Sequence, residues 1–460
     1  MGPLVETTPI PGLLVVRLDR RDDPRGFFKE NWQREKMVAA GLPDFGPVQN
    51  NVSFNTDRGV TRGFHTEPWD KLVSLATGRI FGAWVDMREG PTFGATFTLE
   101  MGTDVAVFVP RGVGNSYQTL EDATAYTYLV NAHWREGIRY PAADLGDPAI
   151  GIDWPIPLSE AVLSEKDRHQ PLLAEVDPVG PAGVLVLGAG GQVGRALLAA
   201  LPRAVGVTRA ELDLTDGAAL AAWPWHEYGV VINAGAWTAV DAAESPQGRV
   251  GAWAANATGP AVLAALAVEH GFTLVHYSSE YVFDSPADPG TGHLEDAPLA
   301  PLGVYGQTKA AGDLAVRVAP RHYLLRTSWV IGEGRNFVAT MADLAGRGID
   351  PAVVDDQVGR LTFAEELARA TRHLLEQRAP YGTYHVTGDG PAVSWHEVAR
   401  AVFAGVGADP DRVSPTSTEA YGAGKDLAPR PSVSTMSLDK LRSTGFTPRD
   451  WRDSLADHLA

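Results

Sequence analysis

The sequence predicts a multidomain protein, an all-β antiparallel sandwich or barrel followed by a doubly wound α/β sheet. Three observations carry this. From residue 1 to about 177, short strand-like runs alternate with Gly, Pro and Asp turns. After that, apolar runs alternate with alanine-rich helical segments, the pattern of a parallel sheet covered on both faces. Between them, Val184-Leu185-Val186-Leu187 runs straight into a glycine turn and then a helical stretch. At 460 residues the chain is too long for one ordinary core, so two or three domains are expected.

In the first half, Val73–Ala76, Ile80–Val85 and Val105–Val109 are the clearest strands. Pro178-Val179-Gly180-Pro181-Ala182 reads as a linker, giving domains 1–177 and 183–460. In the second half, Gly188, Gly191 and Gly194 stand at G-x-x-G-x-x-G spacing before a helix over Arg195–Leu201. Glycine there permits a tight turn, lets backbone approach a pyrophosphate, and lets helix pack close on strand. The helix N-terminus, at Gln192, Val193 and Gly194, then faces the phosphates with free N–H groups. This is a Rossmann-type dinucleotide fingerprint in its proper strand–turn–helix setting.

Ala204–Thr208 reads as the second strand. It ends at Arg209, with no carboxylate until Glu211 and Asp213. Arg209 suits a 2′-phosphate, so NADPH is favoured, with NADH as the alternative. Val230–Ile232 leads into Asn233-Ala234-Gly235, a loop expected near the cofactor. Leu274–Asp284 contains Ser278 and Ser279, and Tyr305-Gly306-Gln307-Thr308-Lys309 follows. A tyrosine and lysine four apart share one helix face.

Composition excludes several classes. A net charge of −17 argues against nonspecific binding of nucleic acid or anionic membrane. The absence of cysteine rules out disulfides and thiol catalysis, and fits a reducing cytoplasm. Prolines at 3, 9 and 11 break up the N-terminal apolar residues, so no signal peptide is expected. No apolar run approaches the roughly 20 residues of a membrane span. No His/Asp/Glu cluster has the spacing of a metal site.

Residues 1–177 also carry a set of local motifs. Asp23-Pro24-Arg25-Gly26-Phe27-Phe28-Lys29-Glu30, Gln49-Asn50-Asn51, Arg62-Gly63-Phe64-His65, Lys71-Leu72-Val73, Tyr126-Thr127-Tyr128 and Ser164-Glu165-Lys166-Asp167 appear in turn. Together they resemble the dTDP-4-dehydrorhamnose 3,5-epimerase family, which implies a jelly-roll (cupin-like) fold. The ketone at carbon 4 acidifies the sugar's C3 and C5 protons, and a base with pKa near 7 suits their removal. The resemblance gives that role to His65, oriented by Asp167, with Tyr128 returning a proton to the opposite face. Lys71 stabilises the enolate. Arg25 and Arg62 hold the diphosphate, and Gln49, Asn51 and Glu30 are further contacts. Where the family usually has a glycine-flanked histidine, this chain has Gly114-Asn115-Ser116, and His133-Trp134 stands for the usual paired aromatics. Asn115 contacts substrate without moving a proton, and Trp134 stacks on the thymine. The resemblance implies a homodimer through this domain.

The second half resembles the short-chain dehydrogenase/reductase superfamily, in which Tyr305 is the proton donor. Lys309 lowers its pKa and holds the ribose, and Ser279 (Ser278 next) holds the carbonyl oxygen. Thr238–Glu244, Arg326-Thr327-Ser328-Trp329, Asp356-Gln357, Gly382–Val386 and Pro429-Arg430-Pro431 narrow the likeness to dTDP-4-dehydrorhamnose reductase, with a small substrate-binding subdomain. By that resemblance Tyr281 and Trp329 contact the sugar, and Gln357 and Arg430 are further contacts. The serine strand here reads Ser-Ser-Glu-Tyr-Val-Phe where the family usually has Ser-Thr-Asp-Tyr-Val-Phe.

The two resemblances imply a bifunctional enzyme that epimerises dTDP-4-dehydro-6-deoxy-D-glucose at C3 and C5. It then reduces the C4 ketone with NADPH to give dTDP-L-rhamnose. Asn115 raises the alternative of single-centre inversion and another deoxysugar. A non-catalytic dinucleotide sensor is the rival from another class, and such proteins typically lose the Tyr305/Lys309 pair that this chain keeps.

Overall fold

The computed structural model describes residues 3–134, 140–180, 182–285 and 292–460. It divides into two compact units, Met1–Pro181 and Ala182–Ala460.

The first unit is built on two antiparallel sheets. One orders Leu4–Thr7, Leu14–Arg17, Val105–Val109, Lys71–Thr77, Thr124–Val130 and Gln49–Asn55. The other orders Ala142–Ala143, Thr61–His65, Val113–Thr119, Ile80–Asp86 and Thr96–Met101. Alternate residues of a strand face opposite ways. Val73, Leu75 and Val107 therefore meet Trp84, Val113 and Tyr117 between the sheets, while Leu72, Ala106 and Phe108 pack outward under Met37 and Phe45. The three strongest predicted strand runs all lie in strands, and the facing sheets form the jelly roll that the resemblance implies. Val179 is tied to this unit by hydrogen bonds with Met87 and Glu89.

The second unit has a six-stranded parallel sheet. Its order is Val205–Val207, Gly183–Leu187, Tyr228–Asn233, Thr273–Ser279, His322–Thr327 and Gly382–His385. Leu185, Val231, Leu274 and Leu324 bury one face under the helix Gly259–His270. Val186, Ile232, Val275 and Leu325 bury the other under Gln192–Ala200 and Ala364–Glu376. The glycine-turn helix starts at Gln192, a turn earlier than the sequence suggests, because Gly191 is its N-cap. A separate core of Ile331, Met341, Phe363, Val402, Phe403 and Trp451 builds the small subdomain. The stretch Pro246–His270 is long and apolar enough to cross a membrane, and half of its most apolar window is buried within the protein.

Candidate active sites

Strand register assembles the first site. Tyr128 pairs with Asn51 and Val73, and Val130 pairs with Gln49 and Lys71. Gln49, Asn51, Lys71 and Tyr128 therefore share the face of their sheet on which Val73 enters the core. In the opposite sheet His65 pairs with Asn115, but Tyr117 pairs with Arg62. Between these pairs Gly63 and Phe64 stand opposite Ser116 alone, a β-bulge. The bulge puts Arg62 and His65 on the same inner face, where plain alternation would send them to opposite sides.

His65 Nε2 lies 2.8 Å from Asp167 Oδ1. Asp167 sits in a turn and also accepts the Ser164 hydroxyl at 2.9 Å. Burial works against its charge, but bonds from His65, Ser164 and the Gly63 N–H outweigh it and hold the carboxyl below its ordinary range. Gly63 has a steric reason as well. A Cβ there would come within 2.8 Å of Asp167 Oδ1. The Tyr140 ring lies edge-on to His65, 6.2 Å away.

Lys71 is not a free cation. It is nearly fully buried and ion-paired with Glu67, four residues earlier in the loop before its strand. Burial, then the Glu67 charge, push the Tyr128 phenol up to about 12, so it stays protonated at neutral pH. Asn115 departs from its expected role. Its Oδ1 accepts from Trp84 at 2.9 Å and Tyr126 at 3.2 Å, so the side chain knits the interior together. Gln49 donates to Asn51 at 2.8 Å and accepts from the Trp134 backbone, but the Trp134 ring is largely exposed. Arg25 and Glu30 stand apart on the Arg20–Asp23/Gly26–Lys29 hairpin and just beyond it. Arg25 pairs with Asp23 and Glu30 with Lys36, both in solvent. No hydrogen bond or ion pair among the described residues links them to His65. Sequence reasoning missed Gly63, Glu67, Tyr140 and Ser164; only Gly63 and Ser164, inside quoted motifs, left a trace.

In the second unit, Gly188 has φ +76°, and a Cβ there would strike Gly235 N at 2.6 Å. A Cβ on Gly194 would strike Gly188 O at 2.3 Å. These two glycines bring turn, helix and neighbouring loop into contact. Gly191 keeps more room, its Cβ position 3.3 Å from Gly188 O. The result is a bare backbone cradle at a helix N-terminus, which fits a dinucleotide diphosphate. Ala234 and Gly235 form its opposite wall. Asn233 does not face the cradle: it is buried, with its amide bonded to His276 and the Gly235 N–H. Gln192 donates to Arg335 O, and Val193 is half-buried against the core. Arg209 stays 80% exposed at the second strand's end, ion-paired to Asp213 at 3.0 Å. Asp213 also caps the Thr215 turn, so it is committed locally.

Tyr305 and Lys309 lie on the helix Val304–Val316. Lys309 is buried, donates to Tyr277 O at 2.6 Å, and burial brings its pKa down to about 8. The expected lowering of the Tyr305 pKa is not found. Burial and the Glu280 charge hold the phenol above its ordinary value, with Ser279 nearby working the other way. Tyr281 stands perpendicular to Tyr305, ring centres 5.6 Å apart, and Arg430, ion-paired to Asp241 at 2.8 Å, lies close enough to favour the Tyr281 phenolate. Trp329 has φ +44°, and its half-buried ring stacks on Trp395 at 3.7 Å. Gln357 donates to Thr418, so it pins a short helix. Ser278 is buried beside this group. Glu280, absent from the expected set, contacts Ser279 at 2.6 Å.

A family profile described as the RmlD substrate binding domain matches residues 182–460, and that of dTDP-4-dehydrorhamnose 3,5-epimerase matches residues 7–175. The chain belongs to both families, one in each unit. The epimerase half is 45% identical over 183 residues to a protein RmlC homolog of Streptococcus pyogenes, covering 38% of this chain and 92% of that protein. The reductase half is 39% identical over 285 residues to dTDP-4-dehydrorhamnose reductase of Mycolicibacterium smegmatis, covering 60% of this chain and 85% of the relative. The dTDP-4-dehydrorhamnose reductase of Bacillus anthracis, solved in complex with NADP, superimposes with a TM-score of 0.54 at 30% identity. It covers 60% of this chain and 96% of its own. Among the described residues of this epimerase–reductase fusion, no group of three or more His, Asp or Glu side chains is placed to hold a metal.

Proposed function

We propose that the chain converts dTDP-4-dehydro-6-deoxy-D-glucose to dTDP-L-rhamnose by epimerisation in the first unit and NADPH-dependent reduction in the second. The observation that carries this is the convergence of a separate proton-handling set in each unit. With Nε2 held by Asp167, His65 takes the sugar proton on Nδ1, and the C–H electron pair moves into the C4 enolate. The Lys71 ammonium faces the charge that develops on the enolate oxygen. Tyr128, protonated at neutral pH, gives its proton to the opposite face and recovers one from solvent, while His65 releases its own to solvent. Arg62, on the inner face with His65, suits the diphosphate.

NADPH, when bound, supplies the hydride that adds to the ketone carbon. The cradle of Gly188, Gly191 and Gly194 holds its diphosphate, and Arg209 suits its 2′-phosphate. Tyr305 donates its proton to the ketone oxygen, with Ser279 bonding the same oxygen, and recovers it from solvent. Tyr281 and Arg430 line the sugar side. The exposed edge strand Gln49–Asn55, with Val52 66% and Phe54 62% exposed, supports a homodimer through the first unit. In such a dimer the hairpin bearing Arg25 is free to serve a partner's site.

Asn115, bonded to Trp84 and Tyr126, favours a second reading in which a single centre is inverted. Incubation with substrate and NADPH, followed by proton NMR of the product, separates a rhamnose product from a singly inverted sugar. No NADPH consumption and no C3 or C5 deuterium uptake would defeat both.

A further inference from the structure

We propose that Glu280 is a positioning residue for ketone reduction, its carboxyl proton deciding whether the Ser279 hydroxyl hydrogen points at Glu280 or at the ketone oxygen. This rests on the reading of Tyr305 and Ser279 as the carbonyl-binding pair and deepens it.

A serine hydroxyl has one hydrogen to donate and two lone pairs to fill. Ser279 Oγ accepts the Tyr281 N–H at 3.2 Å and lies 2.6 Å from Glu280 Oε2. If Glu280 is a carboxylate, it can only accept. The Ser279 hydrogen then turns to Glu280, and Ser279 has none left to offer the ketone oxygen. If Glu280 is a carboxylic acid, it donates to Ser279. The Ser279 lone pairs are then filled by Tyr281 and Glu280. Its hydrogen and that of Tyr305 are both free for one ketone oxygen.

The surroundings hold this choice in place. Glu280 is 5% exposed and Ser279 7% exposed. Glu280 also lies against the backbone N–H of Trp329, a residue in the left-handed region at φ +44°. That conformation is costly for a bulky side chain and persists only where neighbours impose it. The titratable groups around Glu280 are Tyr281 on its own turn and Tyr305 on the facing helix. Lys309 and Asp313 lie further along that helix, and Asp241 and Arg430 lie beyond Tyr281. Burial, opposed by the bonds from Ser279 and Trp329, carries the Glu280 carboxyl to about 7, so both states are populated near neutrality.

The test compares the full chain with Glu280→Gln, whose amide N–H can donate to Ser279 at every pH. Ketone reduction is read by NADPH oxidation, and C3/C5 deuterium uptake reports the first unit in parallel. In the wild type kcat/KM for reduction falls as pH rises through neutrality. In E280Q that limb moves up by more than about one unit, to where the remaining groups titrate. An unchanged midpoint overturns the proposal. Infrared difference spectra of the chain without cofactor give a second readout: a buried carboxylic-acid band in the wild type that vanishes as pH rises through neutrality. Its absence overturns the proposal even if E280Q fails to fold, and its loss in a folded E280Q supports it. A wild type with normal deuterium uptake but no ketone reduction at any pH counts against the reductase reading itself.

Discussion

Asp167 reaches His65 at 2.8 Å from 102 residues along the chain, and it does so across the backbone of Gly63. A methyl group on residue 63 would sit 2.8 Å from the carboxylate oxygen and 3.1 Å from its carbon. Gly63→Ala is therefore expected to push Asp167 off the imidazole and cut C3/C5 deuterium uptake by roughly 10²-fold. NADPH affinity, a property of the other unit, should not change. Uptake at the wild-type rate in a folded variant would remove the pair from the mechanism.

Lys71 and Glu67 form a buried ion pair. Breaking such a pair by removing one partner costs about 3–5 kcal/mol, because the other charge stays buried. Glu67→Gln should destabilise the first unit by that order in denaturant, and adding Lys71→Met should restore much of the loss. The double variant should also lose epimerase activity, since no cation then faces the enolate.

Much of the site is legible in the sequence. The glycine fingerprint, the Tyr305/Lys309 spacing and the motif around His65 are local, and their residue types follow from what backbone and proton chemistry require. Residues that act across the fold are not. Arg62 and His65 share a face only because of a bulge opposite Asn115 and Tyr117, and a one-residue irregularity leaves no mark on a short strand. Glu67 matters through Lys71 at the head of the following strand, and Tyr140 through the His65 ring on a strand far from it in sequence. Asn115 and Asn233 look like ligand contacts in sequence, yet their amides bond buried groups instead. Trp329 reads as a sugar contact, and its ring also packs on Trp395.

The cofactor cradle separates fold from binding at one position. Gly194 has no space for a Cβ, whereas Gly191 keeps 3.3 Å. Gly191→Ala should fold normally yet weaken NADPH binding at least about tenfold, or ~1.4 kcal/mol, by crowding the diphosphate. Fluorescence titration with NADPH checks this, and unchanged affinity would place the diphosphate elsewhere.

Burial holds His385 neutral, its pKa down to about 3. In the unfolded chain a histidine titrates near 6.5. The unfolded state therefore binds more protons in this window, and stability rises with pH. The sign predicts that the second unit loses stability as pH falls from about 6.5 towards 3. His385→Gln should flatten that slope, measured by denaturant midpoints across the window. An unaltered slope would mean other groups set it.

Tyr305→Phe removes the proton donor while leaving Lys309 bonded to Tyr277 O. NADPH should still bind, and ketone reduction should fall by about 10²–10⁴-fold. C3/C5 exchange should continue, so the variant accumulates the epimerised ketone.

That last separation leads to the most direct test of the whole account. The chain is incubated with dTDP-4-dehydro-6-deoxy-D-glucose and NADPH in deuterated water, and the product is read by proton NMR. NADPH should be consumed in equal amount to product, with deuterium at C3 and C5 and L-rhamno stereochemistry. A reduced sugar retaining both original protons, or exchange without any hydride transfer, would contradict it.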